Sequence, residues 1–484
     1  MDTSYLCPEP KTLPISCVLI AEQHTPNPVP ETRFFEGAAK NDCPAGRGAG
    51  IVADEMILPA LRNLDAAPVE ENGETFICLS DPEGYVEGQV SLSGPAFFVA
   101  ACLDGTASVA DIRKAFAEEF GAQITEETVH KVVDFLDKTG FLHSETFFAL
   151  RTAARREFAG LDTRPAWLAG KSYPDEPAEL REYLGHLLGT PHQAQGHGSA
   201  GSVRFLLAPH IDFCRGRSAY AAAYTRAEPR ARLVFIFGVA HAGAEAPFVL
   251  TRKHFATPLG TVQTEVDVVE RLAEVCHWDP FEWEIAHKTE HSIEFQAVLL
   301  AHLLGNRLEE VRIVPILCGP LGVEASPGDP AGSADPAGSA DPAGSADPAG
   351  SADPGAVAGV ADFLAACREE AQGGDVLVVA GADLAHVGRR FGDDLDVDEG
   401  VVRLVEARDR EDLAFALKGD ALGFYQSVMK DGNARKVCGV GCIYAALSTV
   451  DGTAGAGKLL HYGYAEDPAG GIVSFAGAAF PSSC

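Results

Sequence analysis

Four short runs in the second half of the chain constrain its fold more than any other feature. VRFLLAPH (203–210), RLVFIFGVAH (232–241), VRIVPILCG (311–319) and VLVVAGAD (376–383) are β-rich and apolar, and each ends in a polar or glycine-containing turn. Stretches of helical composition lie between them, among them Ser292–Leu304 and Glu399–Lys418. Strands that are apolar throughout, rather than alternating, are buried on both faces. Their alternation with helices predicts an α/β fold whose central, mostly parallel sheet is flanked by helices. Ligands of such sheets bind beyond the carboxyl ends of the strands. His210, His241 and Asp383 each stand at such an end.

At 484 residues the chain is too long for one ordinary domain. Residues 1–55, rich in Pro, Gly and Asn and without periodicity, read as a loosely ordered lead-in. Residues 56–150 change character. TFICL (75–79) reads as a strand and Asp81-Pro82-Glu83-Gly84 as a turn. Three helical patterns follow over 93–103, 108–120 and 125–139, and Gly140-Phe141-Leu142 reads as a short closing strand. Together they predict a small winged-helix-like domain. Residues 151–484 form the α/β domain. It is interrupted at 329–354 by four copies of DPAGSA and a trailing Asp353-Pro354, a repeat too short and too rich in Pro and Gly to pack. A second loop is expected at 189–202.

Charge excludes several function classes. Against 38 Lys and Arg stand 69 Asp and Glu, a formal charge of −31. That disfavours nucleic acid, whose phosphates need a basic footprint, and anionic membrane surfaces for the same reason. No apolar run reaches the ~18 residues of a membrane span, and Cys17–Ala21 is too short for a signal peptide core. Twelve cysteines in so long a chain lack the density of a disulfide scaffold. These features predict a cytoplasmic protein with reduced thiols.

Several motifs fail on counting. Gly170-Lys171-Ser172 lacks the upstream glycine of a phosphate loop, since Pro165 occupies that place. Asp394, Asp396 and Asp398 begin like a calcium loop, but Glu399 and Val405 stand where Gly and the bidentate Glu are required. Gly439 and Gly441 make only an isolated G-x-G. There is no G-x-S-x-G elbow and no H-E-x-x-H helix.

What remains is a set of metal-capable side chains: His210, His241, Glu290-His291 in TEHSIE, Asp383 and His386 in GADLAH, and Cys438 in KVCGVGC. Imidazole and thiolate bind iron, copper and zinc, and a carboxylate can hold the second ring nitrogen of a ligand His. One His at a strand end is ordinarily a hydrogen-bonded structural residue. Several at the ends of one sheet indicate a shared site. Cys442, one helical turn beyond Cys438, reads as a small buried hydrophobe.

These segments carry a family resemblance. LAPHIDF with GRSAYAAAY, FIFGVAH, TEHSIEFQ, GADLAHVGRRF and VCGVGC occur in the order seen in the Memo family, and RPAWLAGKSYP (164–174) resembles that family's N-terminal motif. Memo proteins are similar to class III extradiol ring-cleaving dioxygenases, which hold a non-heme iron with two His and a carboxylate; in Memo proteins a Cys replaces the carboxylate. The resemblance implies His210, His241 and Cys438 as metal ligands, His386 as the catalytic His, and Asp383 and His291 lining the site. It implies a divalent or redox metal as cofactor: iron, with copper or zinc as alternatives. Two departures stand out, Ala242 where the family often has a second His, and Leu384-Ala385 with Val387 in place of an aromatic-rich version of the Asp383 motif. The front segment resembles a PqqD-like winged helix, which implies a peptide or protein partner. The combination is similar to the B-type proteins of the AmmeMemoRadiSam system, whose implied partners are a radical SAM enzyme and an AMMECR-type protein. The expected function is oxygen-dependent or other redox chemistry at a metal, against two alternatives: a non-catalytic peptide- or partner-binding module, and a metal-dependent hydrolase in which the metal acidifies a bound water.

Overall fold

The computed structural model describes residues 56–71, 73–86, 88–189, 203–226, 231–321, 353–373, 375–468 and 470–483. The expected lead-in over 1–55, the DPAGSA copies over 329–352 and the loop over 190–202 lie outside the described residues. The chain divides into two compact units between Phe158 and Ala159.

In the front unit, β1 (Asp65–Glu71), β2 (Glu74–Ser80) and β3 (Gln89–Ser93) form an antiparallel meander. It is followed by α1 (Gly94–Ala101), α2 (Val109–Phe120), α3 (Glu126–Lys138) and α4 (Glu145–Ala159). Helix α2 starts at a capping box: the Ser108 hydroxyl accepts from the Asp111 N–H, and the Asp111 carboxylate accepts from the Ser108 N–H. Helix α3 is capped by Thr125, which accepts from Thr128 N–H, and buries Val129, Val132, Val133 and Leu136 along one face. The structure departs from the sequence reading at Gly140–Leu142. That segment makes only a single bridge, Leu142 to Leu61, while TFICL forms β2 ahead of the helices as expected. Gly140 is left-handed (φ 76°) and α4 begins at Glu145, which leaves too short a segment for a closing strand.

The second unit opens with β4 (Thr163–Arg164) and α5 (Pro177–Leu188). Next come β5 (Val203–Ala208), α6 (Arg217–Tyr224), β6 (Leu233–Val239), β7 (Phe248–Leu250), β8 (His254–Thr257), β9 (Gly260–Thr264), α7 (Val266–Glu274), α8 (His291–Leu304) and β10 (Arg312–Cys318). Beyond the insertion lie α9 (Val360–Glu370), β11 (Val376–Gly381), β12 (His386–Val387), α10 (Glu399–Ala416), α11 (Ala421–Met429), α12 (Val440–Thr449), β13 (Lys458–Asp467) and β14 (Gly471–Pro481). The sheet runs β12-β14-β5-β11-β6-β10-β9-β8-β4, with β13 paired to β14 and β7 to β10. Its centre, β5-β11-β6-β10, is parallel, as the four apolar runs predict; the β13–β14 hairpin on one flank and the β8–β9 pair on the other are antiparallel.

Both faces are covered, which explains the continuous apolar runs. Phe235 and Phe237 face a core with α7, α9, α11 and α12, while Val234 and Ile236 face the opposite core with α5, α6 and α8. Helix α8 approaches the central strands at two glycines. A Cβ on Gly238 would stand 2.4 Å from Ser292 Oγ, and one on Gly381 2.5 Å from the Ser292 carbonyl. Their missing side chains let the amino end of α8, with Glu290 and His291, reach the ends of β6 and β11. No helix among the described residues is long and apolar enough to cross a membrane.

Candidate metal centre

His210 follows β5, Asp383 follows β11 and His241 follows β6, so three adjacent parallel strands deliver three polar side chains to one end of the sheet. Cys438 arrives from elsewhere, on the turn that leads into α12. Its Sγ lies 3.4 Å from His210 Nε2. The ligand atoms of His210, His241 and Cys438 all lie within 4.8 Å of one another. Bonds of about 2.1 Å to nitrogen and 2.3 Å to sulfur separate tetrahedral ligand atoms by about 3.5 Å. The trio therefore matches the donor chemistry and size of a single transition-metal site.

Hydrogen bonds aim both imidazoles. His210 Nδ1 lies 2.8 Å from the Gly381 carbonyl. A carbonyl can only accept, so Nδ1 carries the proton and Nε2 presents a lone pair toward Cys438. His241 Nδ1 lies 3.0 and 3.1 Å from the two Glu290 oxygens, which leaves its Nε2 free in the same way. Glu290 is 3% exposed and also accepts from the backbone N–H groups of His241 (3.0 Å) and Ser292 (2.8 Å), while His291 Nδ1 stands 3.3 Å away. His241, Glu290 and His291 form a second group of metal-type donors. Three N–H groups, two of them from His241, are directed at the Glu290 carboxylate. Its contacts fix the orientation of His241.

Asp383, 2% exposed, accepts from the His210 N–H at 3.0 Å, and its other oxygen lies 3.6 Å from His210 Nε2. His291 stacks on His241 (ring centroids 4.5 Å apart) and stands edge-on to His210 at 5.1 Å. His386 is edge-on to Phe391, and its Nδ1 lies 3.2 Å from the Leu384 carbonyl. The six residues given roles from the sequence thus gather at this one end of the sheet. Three of them form the tight cluster, and Asp383, His291 and His386 surround it.

The electrostatics follow from burial and from the two carboxylates. Burial depresses the His210 pKa despite the Asp383 charge, and takes His291 down to about 3 despite Glu290. Burial also lowers His386. His241 differs: burial opposes its charged form, but Glu290 outweighs burial and raises the pKa. Glu290 is held well below the usual carboxylate range, because His241 and His291 outweigh its burial. Burial and the Asp383 charge push the Cys438 thiol well up.

A family model described as Memo-like protein matches residues 164–326 and 350–479, a span that holds every residue of this site. The chain belongs to that family. Among its relatives, a MEMO1 family protein of Aquifex aeolicus is 26% identical over 427 residues, covering 87% of this chain and 99% of the relative. One from Archaeoglobus fulgidus is 26% identical over 320 residues, covering 65% of this chain and 97% of the relative. One from Pyrococcus furiosus is 31% identical over 168 residues, covering 34% and 55%. The Aquifex match is longer than the sheet unit, so within the Memo family that similarity extends into the front unit.

Sequence reasoning quoted Glu290 but gave it no role of its own, although TEHSIE places it at the cap of α8, where a carboxylate is favoured. Asp409, Arg435 and Ser474, which tie the site loops together, were missed. They meet only through long-range folding, and no local pattern announces them.

Proposed function

We propose that this Memo-family protein holds one redox-capable metal ion, iron or copper with zinc as the redox-inactive alternative, through His210, His241 and Cys438. On this reading it carries out oxygen-dependent or other redox chemistry on a substrate bound beyond the ends of β5, β11 and β6. The observation that carries it is the convergence of two correctly oriented imidazoles and a thiol. When bound, the metal would supply an open coordination position and a source or sink of electrons. The chain supplies the rest. Gly381 and Glu290 keep the ligand tautomers. Asp383 fixes the backbone of His210 and adds negative charge beside it. His386, with Nδ1 committed to the Leu384 carbonyl and its pKa lowered, is neutral near pH 7 and takes up a proton at Nε2.

The PqqD-like reading of the front unit assigns it a peptide or protein partner, and the similarity to AmmeMemoRadiSam B-type proteins makes a radical SAM enzyme and an AMMECR-type protein the partners of choice. The acidic composition disfavours nucleic acid and anionic membrane surfaces, and the low cysteine density fits a cytoplasmic location.

The test is anaerobic purification with metal analysis, followed by oxygen-consumption assays on candidate substrates. Oxygen use that follows iron or copper content and is lost in His386→Ala supports the proposal. Stoichiometric zinc with ester or amide hydrolysis and no oxygen use favours a hydrolase, and partner binding without turnover favours a binding module.

A further inference from the structure

A buried polar network away from the metal cluster centres on Asp409 on α10, which is 1% exposed. One of its oxygens accepts from Ser474 Oγ at 2.6 Å and Tyr462 OH at 2.9 Å, and the other accepts from the Arg435 guanidinium. Arg435 also pairs with Asp412, which accepts from Ser427 Oγ at 2.6 Å.

Two of these partners, Arg435 and Ser474, lead to loops of the site. Arg435 lies three residues before Cys438, in a segment where Asn433 (φ 56°) and Lys436 (φ 52°) both hold left-handed conformations unusual for residues other than glycine. Such a backbone persists only where its surroundings impose it. Here the Asn433 side chain accepts from the Val437 N–H at 2.8 Å, and Lys436 pairs with Asp393, which accepts from the Gly388 N–H at 2.8 Å. The Arg435 carbonyl accepts from the His386 N–H at 2.8 Å. On the other side, Ser474 Oγ accepts from the Ala385 N–H at 2.9 Å, and the Ser474 carbonyl accepts from the Leu384 N–H at 2.8 Å. One carboxylate thus holds the Cys438 turn through Arg435 and the Asp383–His386 loop through Ser474.

We infer that Asp409 is a positioning residue that sets Cys438 against the Asp383–His386 loop, and so tunes the metal site without touching it. The inference rests on the metal reading above for its consequence, but not for its geometry. A purely structural network would stabilise the fold equally while leaving the thiol where it is.

The experiment uses the full chain with Asp409→Asn and Arg435→Lys, and Tyr462→Phe as control. The control removes a hydrogen bond to the same carboxylate while leaving Arg435 and the Ser474 bonds to Leu384 and Ala385 in place. Two readouts are taken: cobalt(II) binding followed by its thiolate charge-transfer band, and, in metal-free protein, iodoacetamide alkylation of Cys438 relative to Cys276 by peptide mass spectrometry. Asp409→Asn should weaken cobalt binding roughly ten-fold, the lower end of what orienting partners cost, and raise Cys438 alkylation several-fold with Cys276 unchanged. Arg435→Lys, which reaches only one carboxylate and offers a milder change should Asp409→Asn not fold, should move both readouts in the same direction. Tyr462→Phe should lower Tm alone. If the Asp409 and Arg435 variants lose only Tm, with cobalt binding and Cys438 alkylation unaltered, the positioning role is overturned and the metal reading stands. If cobalt fails to bind even the unsubstituted chain while Cys438 alkylation still rises, positioning stands and the metal reading falls.

Discussion

His241 Nδ1 sits almost midway between the two oxygens of Glu290, at 3.0 and 3.1 Å, while the His241 N–H donates to the same carboxylate at 3.0 Å. A ring held at both its backbone and its side chain cannot swing away from the cluster, and the carboxylate makes Nε2 a stronger donor to a cation.

Glu290→Gln tests this contact. The Gln oxygen can still cap α8 through Ser292, but the charge is lost and one terminal atom becomes a donor facing His241 Nδ1–H. Metal affinity should fall about 10- to 100-fold. Competition against a chromophoric chelator measures it, and unaltered affinity would remove Glu290 from the account of the site.

His287 gives a pH dependence of stability whose sign is fixed. It is 1% exposed, and burial takes its pKa down to about 3, whereas an unfolded His titrates near 6.5. Between those values the unfolded state binds one more proton, so this contribution is fully present above about pH 6.5 and is lost as pH falls toward 3. At pH 5 the slope of unfolding free energy against pH should be smaller by about one proton, roughly 1.4 kcal/mol per pH unit, in His287→Gln than in the unsubstituted chain. Urea midpoints at closely spaced pH values give that slope, and equal slopes would contradict a buried neutral His287.

The parallel centre of the sheet was legible because β5, β6, β10 and β11 are buried on both faces and carry that burial as unbroken apolar runs. The placing of His210, His241 and Asp383 followed from the same strands. The front meander was less legible. β1 is exposed along its whole length and carries Pro68 and three acidic residues, so nothing in its composition reads as a strand. β14 is nearly all buried, but its small residues (GIVSFAGAAFP) lack the β-branched density of the central strands. The links from Asp409 to Arg435 and Ser474 span 26 and 65 residues and lie beyond any local pattern.

Arg164 should be a structural anchor. It is fully buried, pairs with Glu294 at 2.6 Å, and donates to the carbonyls of His287 and Glu290, which fixes the approach to α8. Glu294 in turn accepts from the backbone N–H groups of Trp167 and Leu168 and from Tyr173. Arg164→Leu leaves a buried carboxylate without its cation and should cost about 3–5 kcal/mol by urea denaturation. Adding Glu294→Leu should restore part of that loss, and a strictly additive double variant would show that the two do not act as a pair.

Cys438 separates the functional from the structural account most cleanly. Its thiol is pushed well above its ordinary pKa and is protonated at neutral pH in the metal-free chain, yet only the thiolate can ligate. Zinc binding should therefore release about one proton from Cys438, and affinity should rise about ten-fold per pH unit between pH 7 and 8. His241, whose pKa is raised, adds to the release at lower pH. In Cys438→Ser the tight binding and this proton should both disappear, while stability changes little. A hydroxyl there has His210 Nε2 and the Asp383 carbonyl beside it, 3.4 and 3.9 Å from the present sulfur, and the volume change is small. A core cysteine would behave in the opposite way, losing stability and keeping its metal. Zinc titration calorimetry in two buffers of different ionisation enthalpy counts the proton, and urea denaturation of the same samples supplies the stability.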